Sequence, residues 1–364
     1  MQYLKETHSN YKNLRQKLFY IRHHHPVPNL STEEIQNYRL EINLSAMNLP
    51  SIYLSLDEIK ALPKHEIIAT LQCSGNRRSN FNPVSKTSGT PWDQGAISTA
   101  KFAGPKLRDV LKHAGFDEDL AYQLELEHVR FESLDGMKAS IGIEKAFNPY
   151  GDCIVAYEMN GEPLPRDHGY PIRAIAPGYC AVRNVKWVKT IEISREEAEG
   201  AWQRGLNYKV LPSNVKNAKS VDLTKMPSLA EASLFSGITK LEQPNKSNKK
   251  QFQTGDIVKV KASGWGWAGG GRNVVRINIT GDGGKTWKPA EITMGGDQKF
   301  NRAWAWVFWT CEDIAAIVDE DGQVEICSKA VDAALNSQPE KCDHMWNIRG
   351  LGNNSWFRSK MAVN

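Results

Sequence analysis

His65-Glu-Ile-Ile-Ala-Thr-Leu-Gln-Cys-Ser-Gly-Asn-Arg-Arg78 is the stretch on which the reading of this chain turns. Its apolar part, His65 to Leu71, alternates poorly and reads as a buried strand. Cys73 then stands where that strand opens into a Gly-containing turn, with two guanidinium groups directly after it. A thiol in that place is expected to be lifted out of the core and held beside positive charge, which favours the thiolate, the form that binds a metal or attacks an electrophile. The other reading is a merely buried cysteine.

Working outward from Cys73, residues up to about 225 mix helix-like and strand-like segments. Ser55 to Leu62 reads as a short helix capped by Ser55 with acids in its first turn, and Pro105 to Ala114 as a helix with proline at N1 and Leu107, Val110, Leu111 and Ala114 on one face. Further strands are expected at Leu124–Phe131, Ile154–Glu158, Ile172–Ala176 and Val185–Ile193, so this half is α+β. Residues 241–254, rich in Asn, Lys, Ser and Gln, read as a solvated loop. Beyond it Asp256–Ala262, Asn273–Thr280, Ala303–Cys311 and Gln323–Ala330 alternate, and Gly281-Asp-Gly-Gly284 marks a hairpin, the signature of a sandwich. Trp265, Trp267, Trp287, Trp304, Trp306 and Trp309 read as core and sheet packing rather than a ligand-stacking surface.

The 364 residues leave room for two domains, at ~100–200 residues each. Six cysteines (Cys73, Cys153, Cys180, Cys311, Cys327, Cys342) form no close pair, which suits a reduced, intracellular chain. No apolar run approaches the ~18 residues of a membrane span, and the first residues have no apolar signal core, so a soluble protein is expected. Cytoplasm, mitochondrion and peroxisome stay open as compartments; the last residues are not a peroxisomal tripeptide. The formal charge of +5 and pI of about 8.7 are mild, and the basic residues are too scattered for nucleic-acid binding.

Two tempting motifs fail. Gly281-Asp-Gly-Gly-Lys-Thr286 ends like a phosphate loop, but Ile279 stands where glycine is needed and Trp-Lys-Pro follows in place of a helix. His23-His24-His25 cannot all point into one site, and Pro26 forces extended backbone after them, so one inward-facing member is expected and no His-metal site. Arg22, Arg77, Arg78, His168, Arg173, Lys186 and Arg349 instead fall at turns or strand ends, where guanidinium groups suit oxyanion or phosphate recognition.

Placed together, Leu71-Gln-Cys-Ser-Gly-Asn-Arg-Arg78, Gly95-Ala-Ile-Ser-Thr-Ala100, Ala156-Tyr-Glu-Met-Asn-Gly161, Pro163-Leu-Pro-Arg-Asp-His-Gly-Tyr-Pro171, Val185-Lys-Trp187, Arg302-Ala-Trp-Ala-Trp306, Lys329-Ala-Val-Asp332 and Trp346-Asn-Ile-Arg-Gly350 carry a resemblance. From about Phe19 to Arg358 the chain resembles the sulfite oxidase family of molybdenum-cofactor enzymes, which includes the molybdenum part of eukaryotic nitrate reductase. The resemblance implies an α+β molybdopterin domain (1–228) followed by an all-β immunoglobulin-like sandwich (229–364) through which family members usually form a homodimer. It implies one molybdenum-molybdopterin per chain with Cys73 as the metal ligand, and Tyr20, Ile21, Arg22, His23, His24, Asp135, His168, Arg173, Asn184, Val185 and Lys186 around the pterin and its phosphate. Arg22, Arg78, Trp92, Tyr208 and Arg349 match the substrate pocket, with Tyr208, Arg22 and Cys73 as the catalytic set; Arg77 has no role beyond local charge.

The implied reaction is two-electron oxidation of sulfite to sulfate, with electrons passed to an external acceptor, oxygen or a cytochrome. No haem segment precedes Phe19 and no flavin part follows Arg358, so neither group is expected in this chain. Arg349 lies in an Asn-Ile-Arg-Gly motif like that of sulfite oxidases, where nitrate reductases typically have methionine, whereas Gly352-Asn-Asn-Ser-Trp-Phe-Arg358 and Tyr179 lean toward nitrate reductase. Leu351 replaces the valine usual in sulfite oxidases, and Asn184 occupies a variable position. Sulfite oxidation is the favoured reading, nitrate reduction the alternative, and a non-catalytic molybdopterin carrier the alternative of another class.

Overall fold

A computed structural model describes residues 18–244 and 252–363. Among these, 18–232 with Trp346–Leu351 form one compact unit, and 233–345 with the residues from Gly352 onward form a second.

The first unit carries strands β1 (Arg39–Asn43), β2 (Ile52–Ser55), β3 (Lys64–Gln72), β4 (Ile97–Pro105), β5 (His128–Ser133), β6 (Lys138–Gly142), β7 (Ile154–Ala156), β8 (Glu158–Met159), β9 (Glu162–Pro163), β10 (Arg173–Ile175) and β11 (Val188–Ser194). They make a five-stranded sheet in the order β2-β1-β11-β5-β6, a four-stranded sheet β3-β4-β8-β9 and the pair β10-β7. In the first sheet β1 runs parallel to β11, with Ile42 opposite Ile191. Alternation decides what it buries: Leu40, Ile42, Val129, Phe131, Ile191 and Ile193 join Leu107, Val110 and Leu111 of the helix Leu107–His113 in one apolar core. The second sheet is built on β3 and β4, antiparallel with Ala69 opposite Ala100, and this pairing fixes where β3 ends and Cys73 begins.

Local chemistry agrees with the sequence at Ser55 and departs from it elsewhere. Ser55 caps the helix Leu56–Ala61 in a reciprocal capping box with Glu58. Pro105 is not at N1. It closes β4, opposite Lys64, so Lys106 takes the cap and the helix begins at Leu107. The strand expected from Leu124 begins only at His128, because Asp117 caps a helix over Glu118–Gln123 that occupies the preceding residues. The strand expected from Val185 begins at Val188, since Trp187 sits at φ 52 and interrupts the extended backbone.

In the second unit, β12 (Leu234–Glu242), β13 (Ile257–Ala268), β14 (Val274–Thr280), β15 (Lys288–Pro289), β16 (Glu291–Met294), β17 (Val307–Ile317), β18 (Gln323–Asp332) and β19 (Phe357–Ala362) form two four-stranded antiparallel sheets, β12-β13-β17-β16 and β15-β14-β18-β19. Val260, Ile314 and Trp309 of one sheet and Ile277, Ile279 and Ile326 of the other share one core, which makes the unit a sandwich. Trp265, Trp267, Trp304, Trp306 and Trp309 are buried; Trp287 is partly exposed and packs edge-on against Trp356, centroids 4.7 Å apart. Gly281–Gly284 turns the chain so that Ile279 pairs with Lys288. Leu241 and Glu242 of the expected loop end β12, and residues 245–251 of it lie outside the described ones. No helix among the described residues is long and apolar enough to cross a membrane.

Candidate active site

Cys73 follows β3 into a turn stitched to the segment before β4. Its N–H donates to the Ala96 carbonyl at 2.9 Å, the Arg77 N–H to Asp93 O at 2.9 Å, and the Ala96 N–H to the Asn76 side chain at 3.0 Å. Arg77 takes the left-handed conformation (φ 62) and is only 2% exposed, so it serves this turn as well as carrying charge. The thiol was expected to stand clear of the core. Instead Cys73 is 7% exposed, and burial pushes its pKa up despite the opposing Arg78 and Arg22 charges. The cations alone do not create a thiolate here.

Cys73 opens on a cleft lined wholly by the first unit. Tyr20, Ile21, Arg22, His23, His24, Asp135, His168, Arg173, Asn184, Val185, Lys186 and Tyr208 all line it. Arg173 bridges two 3₁₀ turns, donating to His168 O and Asn184 O at 2.9 Å each. Lys186 donates to Asp167 O at 3.0 Å, and His23 Nε2 meets the same carbonyl at 3.1 Å. Tyr20 is tied by its N–H to Ser98 Oγ at 3.0 Å. The Asp135 side chain accepts from Met137 N at 3.0 Å, while its carbonyl meets His25 Nδ1 at 2.9 Å. Two of the three histidines, His23 and His24, therefore line the cleft, one more than expected, and His25 turns to Asp135.

Arg78, Trp92 and Arg349 do not line this cleft, yet Arg78 interacts electrostatically with Cys73, Arg349, Tyr208 and Arg22. Its Nε donates to Arg349 O at 2.9 Å and its Nη1 to Thr90 O at 2.7 Å, two residues from Trp92. Neither Arg78 nor Arg349 meets a carboxylate among the described residues, and Arg349 Nε and Trp92 Nε1 are buried without a hydrogen-bond partner. Donors of this kind suit an anion. Tyr208, 5% exposed in a 3₁₀ turn, is held well above the usual phenol range by burial, so its O–H remains a donor.

The cleft suits an anionic organic cofactor on its own terms. Burial, with Arg173 adding, pushes Lys186 down to about 7, and burial brings Arg173 down to about 10. His24 Nδ1 and Arg173 Nε are buried and unpartnered. A phosphate would satisfy these groups. Among the described residues no three His, Cys, Asp or Glu gather as a metal cage, so a metal held by Cys73 would need its other ligands from the organic group. A thiol so bound is deprotonated whatever its own pKa.

Sequence reasoning missed Phe19, Ser133, Met137, Asp167, Val182 and Trp187 in the lining, and Trp202, whose ring stacks on His24 with centroids 3.9 Å apart. Asp167 and Trp187 lie inside the quoted motifs, which was a usable signal; Trp202 offered none.

Family models described as oxidoreductase molybdopterin binding domain and Mo-co oxidoreductase dimerisation domain match residues 24–202 and 236–364. The mitochondrial sulfite oxidase of Rattus norvegicus is 40% identical over 354 residues, 95% of this chain and 61% of that protein. Sulfite oxidase of Gallus gallus is 40% identical over 349 residues, 94% of this chain and 71% of its own length. A nitrate reductase (NADH) of Phaseolus vulgaris is 33% identical over 359 residues, covering 95% and 39%. The sulfane dehydrogenase SoxCD of Paracoccus pantotrophus superposes with a TM-score of 0.71 over 97% of this chain and 85% of that one, and at 22% identity it shows the shared fold. The chain thus spans about 61% of the length of the rat protein. With both domain models matched in order, and 40% identity to a sulfite oxidase most of whose length it covers, the chain belongs to the sulfite oxidase family of molybdopterin-domain oxidoreductases.

Proposed function

We propose that this chain oxidises sulfite to sulfate at a molybdenum-molybdopterin centre and passes the electrons to an external acceptor, oxygen or a cytochrome. The observation that carries the reading is the cation group beside Cys73: Arg22, Arg78 and Arg349 together, with two buried unpaired N–H donors on Arg349 and Trp92. Identity to sulfite oxidases, higher than to the nitrate reductase, supports the same choice. The second family model supports a homodimer formed through residues 236–364.

The cofactor, when bound through Cys73, supplies the two-electron change and the transferable oxygen. The protein's part is placement and field. Arg22, Arg78 and Arg349 would orient the pyramidal sulfite anion and offset its charge, and the protonated Tyr208 would donate to an oxygen of it. Arg173, Lys186 and His24 would hold the pterin phosphate. Over a full turnover water would replace the oxygen that sulfite gains, and the two protons it releases would leave to solvent by way of the exposed Arg22 side of the cleft.

Metal analysis combined with steady-state kinetics on sulfite and nitrate tests this. About one molybdenum per chain with sulfite-dependent reduction of ferricyanide is expected. Loaded protein that turns over nitrate and ignores sulfite would overturn the reading in favour of an oxyanion reductase, and loaded protein inert to both would make it a carrier.

A further inference from the structure

His24 occupies an unusual place. Its ring lies 28° from parallel with Trp202 at 3.9 Å between centroids, while Tyr208 stands edge-on to it at 6.5 Å. The neighbouring His25 ring meets the same indole at 6.1 Å and 61°, so Trp202 separates two consecutive imidazoles and sends them to different partners. His25 has Asp135 O; His24 Nδ1 is buried and has none.

The indole does not float. The Trp202 carbonyl accepts from Arg183 Nη1 at 3.2 Å, and the next residue, Gln203, accepts from both Arg183 and Ser140 N and donates to Glu197 at 2.9 Å. Arg183 is 0% exposed and also donates to Leu229 O at 2.8 Å, so the platform is built on a buried polar network. A ring packed face-on against such a platform keeps one plane, and its nitrogens keep one direction.

We infer that Trp202 is the positioning residue for His24, holding the imidazole plane so that its buried nitrogen meets the organic cofactor in the Cys73 cleft. This rests on the molybdopterin reading above. Burial, helped by Arg22, His25 and Lys186, brings His24 down to about 4, so near neutrality the ring is uncharged and offers one N–H and one lone pair. A directional hydrogen bond from a neutral ring depends on orientation far more than a point charge does. Trp202 acts through His24 and touches no reacting atom.

The test uses holoprotein from a host that makes molybdopterin, with Trp202→Leu, Trp202→Phe and His24→Ala. Bound pterin is read as its fluorescent oxidised form per chain, its release is followed over time, and the His24 ring is titrated by NMR in the cofactor-free protein. Trp202→Leu should release pterin about tenfold faster, whereas Trp202→Phe, keeping a flat ring, should stay within about twofold of the parent. In the His24→Ala background Trp202→Leu should add little, because the residue it positions is gone. The NMR titration of His24 should shift in Trp202→Leu and keep near its parent course in Trp202→Phe. Unchanged pterin release in Trp202→Leu, or an equal loss with and without His24, would overturn the inference while leaving the functional reading intact. A parent holding no pterin at all overturns the functional reading, and this inference with it.

Discussion

Gly350 and Arg78 are fitted to each other: a Cβ at position 350 would lie 2.6 Å from Arg78 Cγ, and Gly350 stands at φ 57. Gly75 and Gly89 close the same slot, their Cβ positions 2.4 Å and 2.8 Å from Arg78 nitrogens. Two nearby turns, at Gly75 and Gly89, and the distant Gly350 thus leave room for one guanidinium. Gly350→Ala should push Arg78 aside and raise the sulfite KM by about tenfold, the loss of one charge-assisted contact. The left-handed backbone should cost stability by only about 1 kcal/mol. Kinetics beside a thermal melt checks both. An unchanged KM would remove Arg78 from the substrate pocket.

Cys73→Ser should keep the fold, since the backbone bonds of Cys73 to Ala96 and Asn76 do not involve sulfur. It should also keep the pterin, held by residues elsewhere in the cleft, and lose nearly all turnover. Pterin content and molybdenum are assayed beside sulfite oxidation. Undiminished turnover would refute the ligand role.

What the sequence showed and what it hid follow one physical line. The β3 strand, the Ser55 cap and most of the sandwich strands rest on local pattern and formed near where neighbours within a few residues place them, although the strand expected at Ala303–Cys311 runs from Val307 to Ile317. Pro105 was misread because pairing with Lys64, across the sheet, decided its conformation. Likewise the cofactor-side residues lay in contiguous motifs and could be named, whereas Trp202 under His24, and Ser88, whose hydroxyl accepts from Arg349 at 2.9 Å across 261 residues, are brought in only by tertiary folding. The Cys73 environment failed on magnitude: position suggested a thiolate, but desolvation outweighs two nearby cations.

Lys186 sets a pH dependence for the cofactor-free protein. Its folded pKa of about 7 lies below its ordinary 10.5, so between these values the unfolded chain holds a proton that the folded one has released. Stability from this group should rise with pH across that window, with the penalty fully present below about 7. Lys186→Met should flatten the rise, seen as the parent-minus-variant difference in Tm from neutral to alkaline pH. Added inorganic phosphate should lessen the effect in the parent, because an anion in the cleft favours the charged lysine. A difference that does not change with pH would show that Lys186 stays charged in the fold.

Beneath Tyr208, Lys209 is 2% exposed and donates to Glu197 at 2.6 Å, while Ser228 and Gln203 donate to the other carboxylate oxygen at 2.7 and 2.9 Å. Burial alone would push Glu197 up, but these bonds outweigh it and hold the carboxyl at about 2. Its contribution is therefore present above the ordinary 4.5 and is lost as pH falls toward about 2. Lys209→Met removes one partner and leaves a carboxylate half out of water, which should cost about 3 kcal/mol in urea unfolding at neutral pH. Lys209→Met combined with Glu197→Met should recover part of that loss, since no charge is stranded. The single variant should also lose less stability than the parent on acidification through the same window. Because Lys209 adjoins Tyr208 in the chain, its kcat for sulfite should fall more than its molybdenum content. Equal unfolding free energies for the single and double variants would show that the two charges are not coupled and that Tyr208 owes its place to the Leu206–Tyr208 turn alone.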